Sequence, residues 1–450
     1  MQSVVVFLGV LATLGVYHVQ AATTHTDSKV VCYYDHNSFF REGQGKFDVP
    51  FLEPALQFCT HLIYRSAGIN AATNKLVPLN EHFDVTKDQY RKVTELKRRY
   101  PTLKVYLAVG AGDDDQNPEK YLTLLEGVEN RIAFVNSAHT LVKTYGFDGI
   151  DLAWQFPTNK PKKVRGKVSS FFHSLKKKIV GESIVDDKAD EHKEQFTALV
   201  REVKNVFKHD GLAVVLSVLP NVNSSIYFDV HSIIPQVDFV NLMAFDFRTP
   251  KRNPKEVDYP APLYNLIDRK EDENGNAWVQ YWLTHGAPNN KLVFGIPTFG
   301  RVWKMTEDSA ISGVPPFETE GAAEVGPYTQ HEGLYSYPEV CAKLANPNNL
   351  KAHQGKHLRK IGDPSKRYEN WHTIDVSNRF GTYAFRLPDE SGENGAWVGY
   401  EDPDTAGNKA GYVRDKGLGG IAIFDLSLDD FRGLCNGDKY PILRAAKLRL

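Results

Sequence analysis

An excess of charge of either sign is missing from this 450-residue chain: 54 Lys and Arg stand against 55 Asp and Glu, a net charge of −1. No overall field favours nucleic acid or an anionic membrane, so a charge-based partner has to be read from local clusters. Cysteine is also scarce, with only Cys32, Cys59, Cys341 and Cys435. That excludes a small disulfide-built scaffold and a cysteine-rich zinc module. Neither a metal-binding motif nor a phosphate-cradling glycine loop occurs, so no metal and no cofactor is expected. After residue 19 no apolar run is long enough to span a bilayer.

The one long apolar run, residues 4–19, precedes Val19-Gln20-Ala21, which fits the small-x-small rule of signal peptidase. Residues 1–21 therefore read as a cleaved signal peptide and the protein as secreted; an uncleaved anchor is the alternative. In an oxidising compartment four cysteines allow three pairings. Cys32 and Cys59 fall near the first two strand-like runs and Cys341 and Cys435 both fall late in the chain, which favours 32–59 with 341–435 over free thiols. Asn223-Ser224-Ser225 is a glycosylation sequon in an expected loop after Pro220.

Eight short apolar runs recur at residues 30–35, 61–69, 104–112, 147–155, 213–220, 239–247, 292–301 and 419–426. Helix-period segments lie in several intervals, among them 85–100, 119–145, 191–209, 278–285 and 406–416. Eight buried parallel strands alternating with helices predict a (β/α)8 barrel of class α/β, with a doubly wound open sheet as runner-up. Two intervals exceed a simple crossover. Residues 302–396 are expected to form a small α+β insertion domain between strands 7 and 8, leaving 29–301 for strands 1–7 and 397–450 for strand 8 and a C-terminal helix. The other, 158–190, carries Lys160, Lys162, Lys163, Arg165, Lys167, Lys176, Lys177 and Lys178 around apolar residues at helical spacing. It reads either as a docking surface for an acidic partner, such as a sulfated glycan or a receptor, or as a helix whose lysines are merely solvated.

The stretch Asp148-Gly149-Ile150-Asp151-Leu152-Ala153-Trp154-Gln155-Phe156-Pro157 reads as a strand. Asp151, Ala153 and Gln155 lie on one face of it, and Ile150, Leu152 and Trp154 on the other. It resembles the fourth-strand signature of family 18 glycoside hydrolases, the chitinases, Asp-Gly-x-Asp-x-Asp-Trp-Glu. In that family a protonated Glu donates to the glycosidic oxygen while the substrate's own acetamido group attacks, held by an Asp and a Tyr hydroxyl. The resemblance places Gln155 at the acid, Ala153 at the Asp, Phe245 of Met243-Ala244-Phe245-Asp246 at the Tyr, and Phe424 at the eighth-strand Trp that floors the sugar site. Val109-Gly110-Ala111-Gly112 replaces a further Gly-Gly-Trp platform. An amide has no titratable proton near neutral pH, so no hydrolytic activity is expected.

The resemblance leaves Asp246, Trp397 and Phe424 as candidate sugar contacts. Asp113, Asp114, Asp115 and Asp425 are the carboxylates from which a remapped hydrolase would have to be built. Within family 18 the likeness is to the imaginal disc growth factors, secreted chitinase-like proteins of insects. It implies a monomeric extracellular signal acting on a cell-surface receptor to promote proliferation and motility, with roles in cuticle formation and wound response. The alternative is a lectin that binds chitin or N-acetylglucosamine oligosaccharides without cutting them.

Overall fold

The computed structural model describes residues 28–158, 186–265, 270–305, 319–344, 359–360, 381–386 and 394–450. The signal-peptide reading of 1–21 and the basic residues from Lys160 to Lys178 lie outside them.

Eight parallel strands close on themselves: β1 Lys29–Asp35, β2 His61–Ile69, β3 Lys104–Gly110, β4 Gly149–Ala153, β5 Ala213–Val218, β6 Val240–Leu242, β7 Leu292–Pro297 and β8 Gly420–Phe424. Each pairs with the next, and β8 pairs with β1 through Lys29 opposite Gly420 to Cys32 opposite Ile423. The eight strands close without an edge of their own, a short antiparallel strand, Leu76–Pro78, pairing beyond them with the end of β2, and the open-sheet alternative is excluded.

Alternation along each strand sorts the side chains into two layers. Val30, Cys32 and Tyr34, like Ile150, Leu152 and Trp154, face outward into the large cluster between strands and helices. Val31, Tyr33 and Ala153 face the barrel interior with Val215, Met243 and Phe245. The helices close that outer layer with an apolar stripe; helix Ala189–Phe207 buries Phe196, Leu199, Val200, Val203 and Phe207 at intervals of three and four.

Two expected helices are interrupted. Residues 119–145 form Lys120–Glu126 and Val128–Tyr145, separated by Gly127 in an extended conformation (φ −107°, ψ 129°). Residues 85–100 are broken by Asp88, whose φ of 61° is left-handed, so the helix proper is only Gln89–Thr94.

Between β7 and β8 lies a second, antiparallel sheet in the order Leu334–Ser336, Phe299–Met305, Gly395–Tyr400, Thr382–Arg386, Arg359–Lys360. The run read as 292–301 is thus two strands. Thr298 turns the chain out of the barrel, and Phe299–Met305 belongs to the second sheet. Trp397, placed by sequence at the return to the barrel, sits inside Gly395–Tyr400 of that sheet.

Both expected disulfides are present. Cys32–Cys59 ties β1 to the segment before β2, and Cys341–Cys435 ties helix Tyr337–Lys343 of the inserted region to the segment following β8. No helix among the described residues is long and apolar enough to cross a membrane.

Candidate functional site at the barrel mouth

In a (β/α)8 barrel the chemistry collects at the carboxyl ends of the strands, and every candidate on β4 lies toward that end. Asp148, by contrast, precedes β4. Its carboxylate accepts from the Val105 amide at 2.8 Å and pairs with Lys97 at 2.9 Å, tying β3 to β4 at the opposite end.

Asp151 is enclosed in the barrel. Ser217 donates to it at 2.7 Å and Tyr33 at 3.0 Å, and Asn241 Nδ2 donates to the Tyr33 and Ser217 hydroxyls at 3.0 and 3.1 Å. Four strands therefore share one buried polar layer. Burial pushes the Asp151 carboxyl up to about 7, against the opposing pull of the Ser217 and Tyr33 hydrogen bonds. Tyr33 is raised by the same burial and by the facing carboxyl.

One step nearer the mouth, Ala153 is buried among apolar side chains and offers nothing polar. Gln155 is half-buried, and its amide is engaged at both the oxygen and the nitrogen. Oε1 accepts from the Gly112 and Asp114 backbone amides at 3.0 and 3.2 Å, and Nε2 donates to the Asp114 carbonyl at 2.7 Å. This clamp holds the loop after β3, where Gly110, Ala111 and Gly112 are all left-handed, with φ of 81°, 53° and 85°. An ionised carboxylate in place of the amide has no proton to donate to that carbonyl.

The neighbouring carboxylates are engaged as well. Asp114 accepts from Lys120, from the Tyr121 hydroxyl and from the Ile69 amide. Asp113 is held by two nitrogens of Arg65, at 2.6 and 2.5 Å, and Asp425 lies 3.5 Å from the same guanidinium while accepting from the Ser427 amide at 2.8 Å. Burial raises both Asp113 and Asp425 in spite of Arg65. Asp246, at a left-handed φ of 55°, forms a bidentate pair with Arg301 at 2.7 and 2.6 Å. Asp115 alone of the four acids read in the sequence is exposed without such an enclosure.

The aromatic candidates divide. Phe424 is half-buried at the end of β8, its ring 5.1 Å from Tyr33 and 5.4 Å from Phe245, and the Arg65 guanidinium lies over it at 4.7 Å. Trp397 is wholly buried, stacked on Tyr383 at 5.5 Å and packed against Trp303 and Tyr259. The expectation that it contacts sugar is therefore corrected: its strand faces the interior of the second sheet and no ring face is open. Trp154 packs edge-on to Tyr121 and Phe134 in the outer layer. Asn223 caps the short helix Ser224–Tyr227, its Oδ1 accepting from the Ser225 amide and hydroxyl at 2.9 and 2.7 Å. Among the described residues no group of three or more His, Cys, Asp or Glu is placed to hold a metal ion.

Sequence reasoning missed Arg65, Ser217, Asn241 and Arg301. Arg65 carried a signal nonetheless: it is a charged residue in the middle of a strand-like, mostly apolar run, Leu62-Ile63-Tyr64-Arg65-Ser66-Ala67, which is costly unless a partner waits for it.

The model of the glycosyl hydrolases family 18 matches residues 29–429. The chain is 53% identical over 457 residues to "Chitinase-like protein Idgf4" of Glossina morsitans morsitans, covering 100% of both, and 52% identical over 434 residues to "Imaginal disk growth factor 6" of Drosophila melanogaster, covering 94% and 93%. Among solved structures, a mutant of the Group II chitinase catalytic domain 2 of Ostrinia furnacalis, in complex with penta-N-acetylchitooctaose, matches with a TM-score of 0.75 at 28% identity, over 94% of this chain and 96% of that one. The closed barrel, its inserted antiparallel sheet and these full-length matches agree, and the chain belongs to glycosyl hydrolases family 18, among its chitinase-like proteins related to the imaginal disc growth factors.

Proposed function

We propose that this is a secreted, non-hydrolytic chitinase-like protein that acts outside the cell as a growth factor. In this reading it binds a cell-surface receptor to promote proliferation and motility, with roles in cuticle formation and wound response. The names of its full-length relatives support the signalling part. One observation carries the non-hydrolytic part: at the position the family resemblance gives to the general acid, Gln155 is a clamp on the 112–114 backbone and not a group aimed at a substrate. Without general acid catalysis a hydrolase forfeits roughly 10²–10⁴ in rate. Ala153 and Phe245 add no group to hold an acetamido oxygen.

The test is turnover of a fluorogenic chitotriose substrate by the purified protein, beside the double variant Ala153→Asp, Gln155→Glu. No turnover by the wild type is expected. Sustained wild-type turnover would show that another carboxylate has taken over. Proliferation of cultured insect cells, measured with and without the purified protein, tests the signalling part, and an unchanged growth curve would remove it.

A further inference from the structure

We infer that Arg65 is the residue that decides whether the barrel mouth takes a sugar: its guanidinium is a built-in cover lying where a pyranose ring would stack on Phe424. The inference rests on the non-hydrolytic reading above and deepens it.

Around the barrel the strand order is β3, β2, β1, β8. Arg65, on β2, reaches over β1 from the loop after β3 to the end of β8. On one side it holds Asp113 through Nε and Nη2 at 2.6 and 2.5 Å; on the other Nη1 approaches Asp425 at 3.5 Å. Between these anchors the guanidinium lies 4.7 Å over the Phe424 ring. Phe424 has Tyr33 and Phe245 packed against it from the barrel side. Arg65 lies over the ring from another side.

A guanidinium suits this place because it is flat, always charged, weakly hydrated and able to grip a carboxylate with two parallel donors while stacking on a ring. The flat face of a pyranose presents C–H groups to an aromatic ring in the same way. The class of ligand is set by the family-18 relative that carries a bound N-acetylglucosamine oligomer. The cover is itself held in place: the Ser66 hydroxyl lies 3.0 Å from both Asp113 Oδ2 and the Gly110 carbonyl, and Asp35, opposite Arg65 in the β1–β2 register, pairs with Arg41 at 3.3 Å. Both acids that anchor Arg65 are nearly enclosed, with 7% and 1% of their side chains exposed, so swinging the guanidinium away takes from two buried carboxylates the cation they share and leaves them only the neutral donors Ser66 and Ser427. The cover therefore stays shut in the wild type.

The experiment is calorimetric titration of the full chain with N-acetylchitotetraose, comparing wild type, Arg65→Ala and Arg65→Lys. Arg65→Ala is expected to bind about tenfold or more tightly than the wild type, the effect of exposing one stacking face. Replacing Phe424 by Ala in the Arg65→Ala background should erase the gain. Arg65→Lys keeps the charge but has no flat guanidinium to lie on the ring and no planar fork to grip Asp113 with two parallel donors, so it should gain affinity too, and it carries the test if the alanine variant does not fold. Equal affinity for wild type and a folded variant would overturn the cover, as would a gain that survives loss of Phe424. That failure is separable from failure of the non-hydrolytic reading, which depends on wild-type turnover and not on binding.

Discussion

At the barrel mouth the ring of Phe424 carries the Arg65 guanidinium at 4.7 Å, whereas in the inserted sheet the ring of Trp397 lies on Tyr383 with centroids 5.5 Å apart and is wholly enclosed. The two regions use aromatic side chains in opposite ways. The mouth has one half-buried ring set among charges: Asp113, Asp425 and Arg65 on one side, Asp246 and Arg301 on the other. The inserted sheet has Trp303, Trp397, Tyr259 and Tyr383 in a single apolar cluster. An aromatic residue marks a ligand platform only where the fold leaves one of its faces to solvent. Here the larger rings stabilise an interior, and the smaller ring at the mouth is covered by the protein's own cation.

If that contrast is right, truncating the two rings has unequal consequences. Trp397→Ala is expected to destabilise the protein by about 4 kcal/mol, as loss of a fully buried aromatic side chain does. Phe424→Ala, removing a half-buried ring, should cost no more than about 2 kcal/mol. Chemical denaturation of the two variants measures both, and equal losses would break the contrast.

The polar layer beneath the mouth gives a second handle. The folded Asp151 carboxyl sits near 7, above its ordinary value of 3.8, so the folded chain holds a proton that the unfolded chain releases. Its contribution to stability is full below pH 4 and is lost as pH rises through 7, a change on the order of 4 kcal/mol. Asp151→Asn should flatten that part of the stability profile, read by denaturation between pH 4 and 8. A variant that keeps the wild-type slope would mean that Asp429, also raised to about 7 by burial, is the group responsible.

The smallest expected effect is at the clamp. Ala111 is held at φ 53° by the loop that Gln155 fastens, and a left-handed alanine is strained. Ala111→Gly should raise the thermal midpoint slightly, by roughly 0.5 kcal/mol of stability once the added flexibility of the unfolded chain is counted. A drop would mean that the Ala111 methyl, buried among the barrel's interior residues, contributes more packing than its conformation costs.

Much of this was legible in the chain. The alternation of Asp151 and Ala153 against Ile150, Leu152 and Trp154 followed from the two-residue period of a strand, and the eight runs located all eight barrel strands. Helix interruptions were not legible, because Gly127 and Asp88 break their helices through backbone conformations that the periodicity of neighbouring apolar residues does not reveal. Trp397 was misread because a signature of aromatic and small residues fits a barrel mouth and a sheet interior equally well.

The sequence by itself determined the family fold and the absence of a carboxylic acid at Gln155, since strand period and side-chain chemistry are local properties; it favoured one of three disulfide pairings, and the fold realises that one. Only the tertiary structure decided what those side chains touch. Arg65, Asp113 and Asp425 stand up to 360 residues apart, and their meeting at Phe424 depends on barrel closure, which pairs β8 with β1 and so sets its end one strand away from β2 at the same rim.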